Sequence, residues 1–280
     1  CEMTVQMALA TYPQDQWGRL RILDPACGTG GFLVATMNVW REAILSQQIT
    51  KWQGNEGRAA EETARILKDR ADANLTGIDF NPILVRAAQM NLVMHGDGST
   101  NVFHANSLLP PGEWPSHPPN DVVRHVAPGT FDIVLTNPPF GSKIPVDDRH
   151  ILNQFELSTF ETEQPRASMP PEQLFIERCL FLLKPGGRLA IILPDSILSN
   201  PGLGWLRRWI LQNARVIASV DLPTVTFEPY TGTQTSVLLL QKKTAMEKQI
   251  ERESGVPRDY EVFMTTPQAV GHDRRGEAHY

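Results

Sequence analysis

The sequence predicts an α/β protein built on a doubly wound, seven-stranded, mostly parallel sheet. Short apolar runs alternate with helix-period segments along most of the chain, the pattern of strands joined by crossover helices. Each of the first three apolar runs ends in an acidic or polar residue, where a parallel strand would emerge at its carboxyl edge. The length of 280 residues suffices for one large domain of this class with a sizeable core.

Seven runs supply the strands: Leu20–Asp24 (LRILD), Leu75–Asp79 (LTGID), Asn101–His104 (NVFH), Phe131–Thr136 (FDIVLT), Arg188–Leu193 (RLAIIL), Arg215–Asp221 (RVIASVD) and Gln234–Gln241 (QTSVLLLQ). Helices are predicted between them over Gly31–Gln47, Pro82–His95, Pro171–Leu183 and Gly204–Asn213. The second of these has a clear start, because Asp79 and Asn81 stand just before Pro82. Three stretches interrupt the alternation. Ser46–Asn74 is polar and mixed in charge and reads as an inserted helical or loop excursion. Leu109–Thr130 holds six prolines and reads as a surface loop. Gly141–Pro171 shows little periodicity and suits a mobile loop over a site. From about Lys242 the chain becomes charged, then recovers a strand-like run at Tyr260–Met264. Residues 1–243 are therefore read as one catalytic-size domain and 244–280 as an extension packed on it.

Composition narrows the class. Hydrophobic residues make up 41% and charged residues 20%, ordinary for a globular domain. No run of about 18 apolar residues suggests a membrane span, and no charged-then-apolar leader suggests secretion. Three cysteines, Cys1, Cys27 and Cys179, are too few and too scattered for a disulfide framework or a zinc site, so a reducing cytoplasm is the expected compartment. The chain opens on Cys1, and the expectation is that a natural N-terminal part is missing. Net charge is −5, whereas a stand-alone DNA binder shows a basic footprint. If DNA is the substrate, much of the phosphate contact must come from elsewhere.

The chemistry is carried by three motifs. Asp24-Pro25-Ala26-Cys27-Gly28-Thr29-Gly30-Gly31-Phe32 follows the first strand. Its glycines allow a tight turn and close approach of a ligand, but the spacing is neither GxGxxG nor the GK[ST] ending of a P-loop. A carboxylate beside the glycines would repel phosphate and suit a cation, and S-adenosylmethionine carries both an ammonium and a sulfonium. Gly77-Ile78-Asp79 closes the second strand with an acid able to accept from ribose hydroxyls. The gap from Asp24 is well over twice the ~20 residues usual in dinucleotide folds, so Asp79 reads equally well as a helix cap. Thr136-Asn137-Pro138-Pro139-Phe140 ends a buried-looking strand. Its prolines remove donors and stiffen the turn, leaving the Pro138 carbonyl and the Asn137 amide oxygen as acceptors beside an aromatic ring. An aromatic amine is a poor nucleophile because its lone pair is delocalised into the ring. Acceptors on its hydrogens stabilise the charge that develops as it takes a methyl group.

DPACGTGGF, GIDFNP and TNPPF, in that order, resemble the cofactor, ribose and catalytic motifs of the amino-methylating DNA methyltransferases. AAQMNLVMHG (Ala87–Gly96), FIERCLFLLKPGGRLAIILPDSIL (Phe175–Leu198), SVDLPTVTFEPYTGTQTSVLLLQK (Ser219–Lys242) and VGHDRRG (Val270–Gly276) are similar, more narrowly, to the modification subunit of type I restriction–modification systems. The resemblance implies a Rossmann-like S-adenosylmethionine-dependent methyltransferase fold and transfer of a methyl group to the N6 amine of a flipped adenine in DNA. It also implies a specificity subunit and a restriction subunit as partners. Carried over by position, Asp24, Gly28 and Gly30 would hold the methionine portion of the cofactor and Asp79 its ribose, with Ala26, Cys27, Thr29 and Phe80 also among the cofactor-binding residues. Asn106 and Ser107 would face the cofactor's adenine, Asn106 standing where the family usually has Asp. Asn137, Pro138, Pro139 and Phe140 would be catalytic, with Phe140 and Phe227 lining the target-base pocket. A helix over Glu2–Ala10 would follow a motif that precedes this chain. The same turn also serves methyl transfer to a glutamine amide or to RNA, and a non-catalytic cofactor-binding scaffold is a third reading. His95 and His104 read as helix-end and surface residues with no metal-spaced partner. Cys27 lacks the nearby His a nucleophile needs. Lys143 and Arg149 read as solvated charges able to meet phosphates.

Overall fold

A computed structural model describes residues 1–96, 101–141, 145–227, 232–256 and 259–269. The chain resolves into two compact units, Cys1–Thr136 with Leu182–Lys184, and Asn137–Phe181 with Pro185 onward.

In the first unit, α1 (Glu2–Leu9) buries Thr4, Val5, Ala8 and Leu9 along one face. The wholly buried β1 (Ile22–Asp24) follows, and Gly30 then opens α2 (Gly31–Lys51) from the left-handed region. The excursion expected from Ser46 is helical apart from a turn over residues 52–55: α2 runs on to Lys51, and α3 (Glu56–Asn74) packs back against it. Asn55 caps α3 by accepting the Arg58 N–H at 3.1 Å. Ala59, Thr63, Leu67 and Ala71, at four-residue spacing, form its buried stripe. β2 (Leu75–Asp79) leads into α4 (Pro82–Met94), whose cap Asn81 accepts the Ile83 N–H at 2.9 Å. β3 (Val102–His104) comes next.

The proline-rich stretch over Leu109–Thr130 is not only surface loop. It carries a small antiparallel pair, β4 (Ser116–His117) with β5 (Asn120–Asp121), and the turn of helix α5 (Val122–His125). Trp114, Val122 and Val126 are buried, and the Trp114 indole donates to the Asn106 carbonyl at 3.1 Å. The prolines punctuate the segment, but these apolar anchors hold it down. β6 (Phe131–Thr136) completes the unit. Its four main strands run parallel in the order β6-β1-β2-β3, so the ends of β1, β2 and β3 emerge along one carboxyl edge.

The described part of the Gly141–Pro171 stretch, in the second unit, is also packed rather than a free loop. It contains α6 (Arg149–Leu152) and a backbone bridge between Val146 and Met169. Ile151, Leu152, Phe155, Leu157 and Met169 are buried, and the Glu177 carboxylate accepts the Glu156 and Leu157 N–H groups at 2.8 and 2.9 Å. α7 (Pro171–Leu182) leads to β7 (Leu183–Pro194), which starts earlier than Arg188. α8 (Ser196–Ser199), α9 (Gly204–Asn213), β8 (Ala214–Leu222) and β9 (Thr235–Lys242) follow. β9 pairs antiparallel with both β7 and β8. α10 (Ala245–Ser254) begins with a reciprocal capping box between Thr244 and Glu247, and β10 (Phe263–Thr265) runs parallel to β8. The Tyr260–Met264 run thus supplies a fourth strand to this unit. Val270–Gly276 and Lys143 lie outside the described residues.

Candidate active site at the strand ends

The ends of β1, β2 and β3 bring the first group of expected residues together. Asp24, the last residue of β1, is 1% exposed. One of its carboxylate oxygens accepts the Ala26 N–H at 3.1 Å. Burial, seconded by the Asp79 charge, pushes its pKa up to about 7, against the opposing pull of that N–H and of the Thr136 hydroxyl. A buried carboxylate so disposed favours a cation over any anion.

The glycine turn is shaped by backbone. Gly28 has φ +54°, Gly30 φ +84°, both in the left-handed region that side chains disfavour. Among the described residues nothing lies within 4 Å of where a Gly28 Cβ would stand, whereas at Gly30 it would meet the Ala88 Cβ at 3.3 Å. Gly28 therefore borders open space and Gly30 borders α4. Ala26 and Gly28 are half-buried and Thr29 is exposed. The Thr29 carbonyl accepts from the Asn91 side chain at 3.1 Å. Cys27 is buried, and burial together with the Asp24 and Asp79 charges holds its thiol well above the ordinary range. It is a packing residue and not a nucleophile.

Asp79 ties the turn to the second strand. Its two carboxylate oxygens accept the Gly28 N–H at 2.9 Å and the Asn81 N–H at 2.8 Å. Each oxygen keeps a lone pair for a further donor. Phe80, next in the chain, is 72% exposed, and its carbonyl contacts the His104 Nε2 at 2.9 Å. An aromatic ring left this open beside a fixed carboxylate suits the flat face of a nucleoside. Past β3, the Asn106 side-chain oxygen accepts the Leu108 N–H at 3.0 Å. The Ser107 hydroxyl donates to the Pro25 carbonyl at 2.6 Å, so Ser107 fastens this segment to the glycine turn. His95 Nδ1 contacts the Asn91 carbonyl at 2.8 Å, the helix-end position expected of it.

Asn137, Pro138, Pro139 and Phe140 follow β6 directly and belong to the second unit. Pro138 is buried, Pro139 exposed, Asn137 and Phe140 half-buried. The Asn137 amide oxygen is fully covered and has no hydrogen-bond partner among the described residues, which is costly unless a donor arrives. The segment is pinned just beyond Phe140, where the Gly141 N–H donates to the buried Glu172 carboxylate at 2.9 Å. Phe227 is half-buried in a single helical turn over Thr224–Phe227. Arg149 is exposed on α6.

One contributor escaped sequence reasoning. Glu172 left a faint trace as an acid in the first turn of α7.

The comparisons agree with this architecture. The chain is 25% identical to the type I restriction enzyme EcoEI methylase subunit of Escherichia coli, over 79% of this chain and 38% of that protein. It is 28% identical to the EcoKI methylase subunit of E. coli K12, over 80% of this chain and 36% of that protein. The crystal structure of the EcoKI M protein superposes with a TM-score of 0.57 at 22% identity, covering 99% of this chain and 50% of that one. The chain thus spans less than two-fifths of the length of these two curated relatives, and it has the Rossmann-like α/β fold of S-adenosylmethionine-dependent methyltransferases. Residues 2–257 match the N-6 DNA Methylase family, and the chain belongs to that family.

Proposed function

We propose that the protein containing this chain methylates the N6 amine of adenine in DNA as the modification subunit of a type I restriction–modification system. One observation carries the reading: the buried Asn137 oxygen, unpartnered among the described residues, in a proline-stiffened turn with an aromatic ring. An acceptor of that kind is suited to the hydrogens of a planar amine. Membership of the N-6 DNA methylase family supports adenine as the bearer of that amine.

The residues at the strand ends fit S-adenosylmethionine. Asp24 would receive its ammonium, the open backbone around Gly28 its methionine portion, and Asp79 its ribose hydroxyls. Phe80, Asn106 and Ser107 would border its adenine. When bound, the cofactor supplies an electrophilic methyl group on a sulfonium. The protein's own task is to desolvate and orient. Asn137 and the Pro138 carbonyl accept from the target amine, and Pro139 fixes the turn. Phe140 and Phe227 offer ring faces to a base swung out of the duplex, since a stacked base is out of reach. Direct transfer needs proximity and acceptors and no covalent enzyme intermediate. Acting on DNA within a type I system, the protein would work in the cytoplasm, with specificity and restriction subunits as partners.

The test is transfer of labelled methyl groups to duplex DNA by the full-length protein with its specificity subunit. Asn137→Ala is expected to keep cofactor binding and to lose at least ~10²-fold in transfer rate. Undiminished methylation by that variant, or labelling of RNA or a protein amide in preference to DNA, overturns the proposal.

A further inference from the structure

We infer that Asn91 of α4 is a positioning residue for the glycine turn, its side-chain amide holding the Thr29 carbonyl so that the turn stands preformed for the methionine portion of the methyl donor. What the turn receives rests on the cofactor reading above. That the turn is held before anything binds does not.

The peptides of the turn are committed one by one. In the Pro25–Ala26 peptide the carbonyl accepts the buried Ser107 hydroxyl at 2.6 Å, and the N–H donates to Asp24 at 3.1 Å. In the Ala26–Cys27 peptide the N–H donates to the Ile78 carbonyl at 2.9 Å. In the Cys27–Gly28 peptide the carbonyl accepts the Gly30 N–H at 2.8 Å, and the N–H donates to Asp79 at 2.9 Å. The Thr29–Gly30 peptide is held by that Gly30 N–H at one end and at the other by the Asn91 amide, which donates to its carbonyl at 3.1 Å. Gly28–Thr29 is the peptide left over. Among the described residues its N–H has no partner, and its carbonyl is approached by the Cys27 thiol at 3.9 Å. The open peptide is therefore framed by two fixed ones, the first anchored through Asp79 and the second through Asn91.

Such framing matters at this place in the chain. Gly28 and Gly30 lie at φ +54° and +84°, and the freedom of glycine would let an unheld peptide beside them turn over. Asparagine is a poor residue in a helix interior, so its presence within α4 calls for a reason outside the helix. α4 buries Val85, Ala88 and Leu92. Ala88 stands 3.3 Å from where a Gly30 Cβ would lie, so a small residue brings the helix against the turn and the amide of Asn91 reaches it from the same side. Thr29 is exposed, and water can replace the amide on its carbonyl at little cost to stability. What water does not supply is a fixed direction. A ligand that meets a turn already ordered is spared the entropy of ordering it.

The experiment compares wild type, Asn91→Ala and Asn91→Asp in the full-length protein, by residue-resolved hydrogen exchange without ligand and by equilibrium dialysis of labelled S-adenosylmethionine. In Asn91→Ala the Gly30 amide is expected to exchange about fivefold faster and S-adenosylmethionine to bind about fivefold more weakly, the effect of one lost hydrogen bond. The Ala26 amide, at the end of the turn held by Ser107, should keep its rate. Alanine favours a helix, so the ligand-free thermal midpoint should not fall. Asn91→Asp has the same size but sets an acceptor against the carbonyl, and its losses should be at least as large. Unchanged Gly30 exchange in both variants overturns the inference. So does weaker binding without faster exchange, or faster exchange without weaker binding. Faster exchange at Ala26 as well, with a lowered thermal midpoint, also overturns it, because Asn91 would then serve general stability. Gly30 exchange as expected in a protein whose wild type binds no S-adenosylmethionine overturns the cofactor reading and leaves the clamp on the turn standing.

Discussion

A carboxylate taken out of water next to a second carboxylate must be either neutralised or partnered, and Asp24 is in that position. Its folded pKa of about 7 lies above the ordinary 3.8. The stability that follows from this is fully present below about pH 4 and is lost as pH rises through 7, where the folded state must bear a buried charge. The span of roughly three pH units corresponds to something on the order of 4 kcal/mol. Asp24→Asn should remove this dependence. The ligand-free variant is expected to be more stable than wild type at pH 8 and to unfold with little change between pH 5 and 8, while losing affinity for a cationic donor. Calorimetry at the two pH values checks the first part; a variant less stable than wild type at pH 8 refutes it. Gly28 makes a different demand. An added Cβ there meets no atom of the described residues within 4 Å, but φ +54° costs a side chain roughly 1–2 kcal/mol. Gly28→Ala should therefore cost about that much by denaturant titration, and Gly30→Ala more, because Ala88 also stands in the way. At this scale much of the local geometry of the candidate residues was legible. The sign of a glycine φ and the stiffness of Asn137-Pro138-Pro139 are local properties, written in a few adjacent letters. The surroundings of Asp24 were not legible, because Asp79 comes from a strand more than fifty residues further along the chain.

At the scale of elements, the helices and strands that could be read in advance were those with their own start signals and a long apolar period. α4 announces itself with Asn81 and Pro82, and α9 matches its expected span. α3 was ambiguous because its buried stripe is made of Ala59, Thr63, Leu67 and Ala71, small or polar residues apart from one leucine. Small side chains let α2 and α3 approach closely but give little hydrophobic signal in a sequence. Leu67 is the one large residue in that stripe and is 1% exposed. Leu67→Ala should cost ~2–5 kcal/mol of stability, measurable by urea unfolding, with the cofactor residues untouched; a cost under ~1 kcal/mol would show that the hairpin does not share the unit's core. The two misread loops fail for a related reason. In Leu109–Thr130 and Gly141–Pro171, single anchors such as Trp114, Phe155 and Met169 are separated by prolines and polar residues. They bury themselves by tertiary contact without forming any period.

For the whole molecule the decisive quantity is charge. A net −5 repels a polyanion at long range, and the Debye length of about 8 Å at physiological salt confines any attraction to local patches. Protein–DNA affinity falls with salt at a slope of about −0.9 per neutralised phosphate, so the slope counts the cations that meet the backbone. If the type I reading holds, the specificity subunit and the parts of the protein beyond this chain contribute most of them. The full-length modification subunit alone should then bind duplex DNA weakly, with a shallow dependence on salt between 50 and 200 mM, a slope of about −2 or less in magnitude. Its complex with the specificity subunit should show a slope several-fold steeper. Fluorescence anisotropy on the same duplex with and without that subunit distinguishes the two. Tight, steeply salt-dependent binding by the modification subunit alone would mean that its own surface gathers enough basic side chains to hold DNA despite the acidic total of this chain. The partner would then be needed for sequence choice and not for affinity, which moves the role of exposed residues such as Arg149 from solvated charge to phosphate contact.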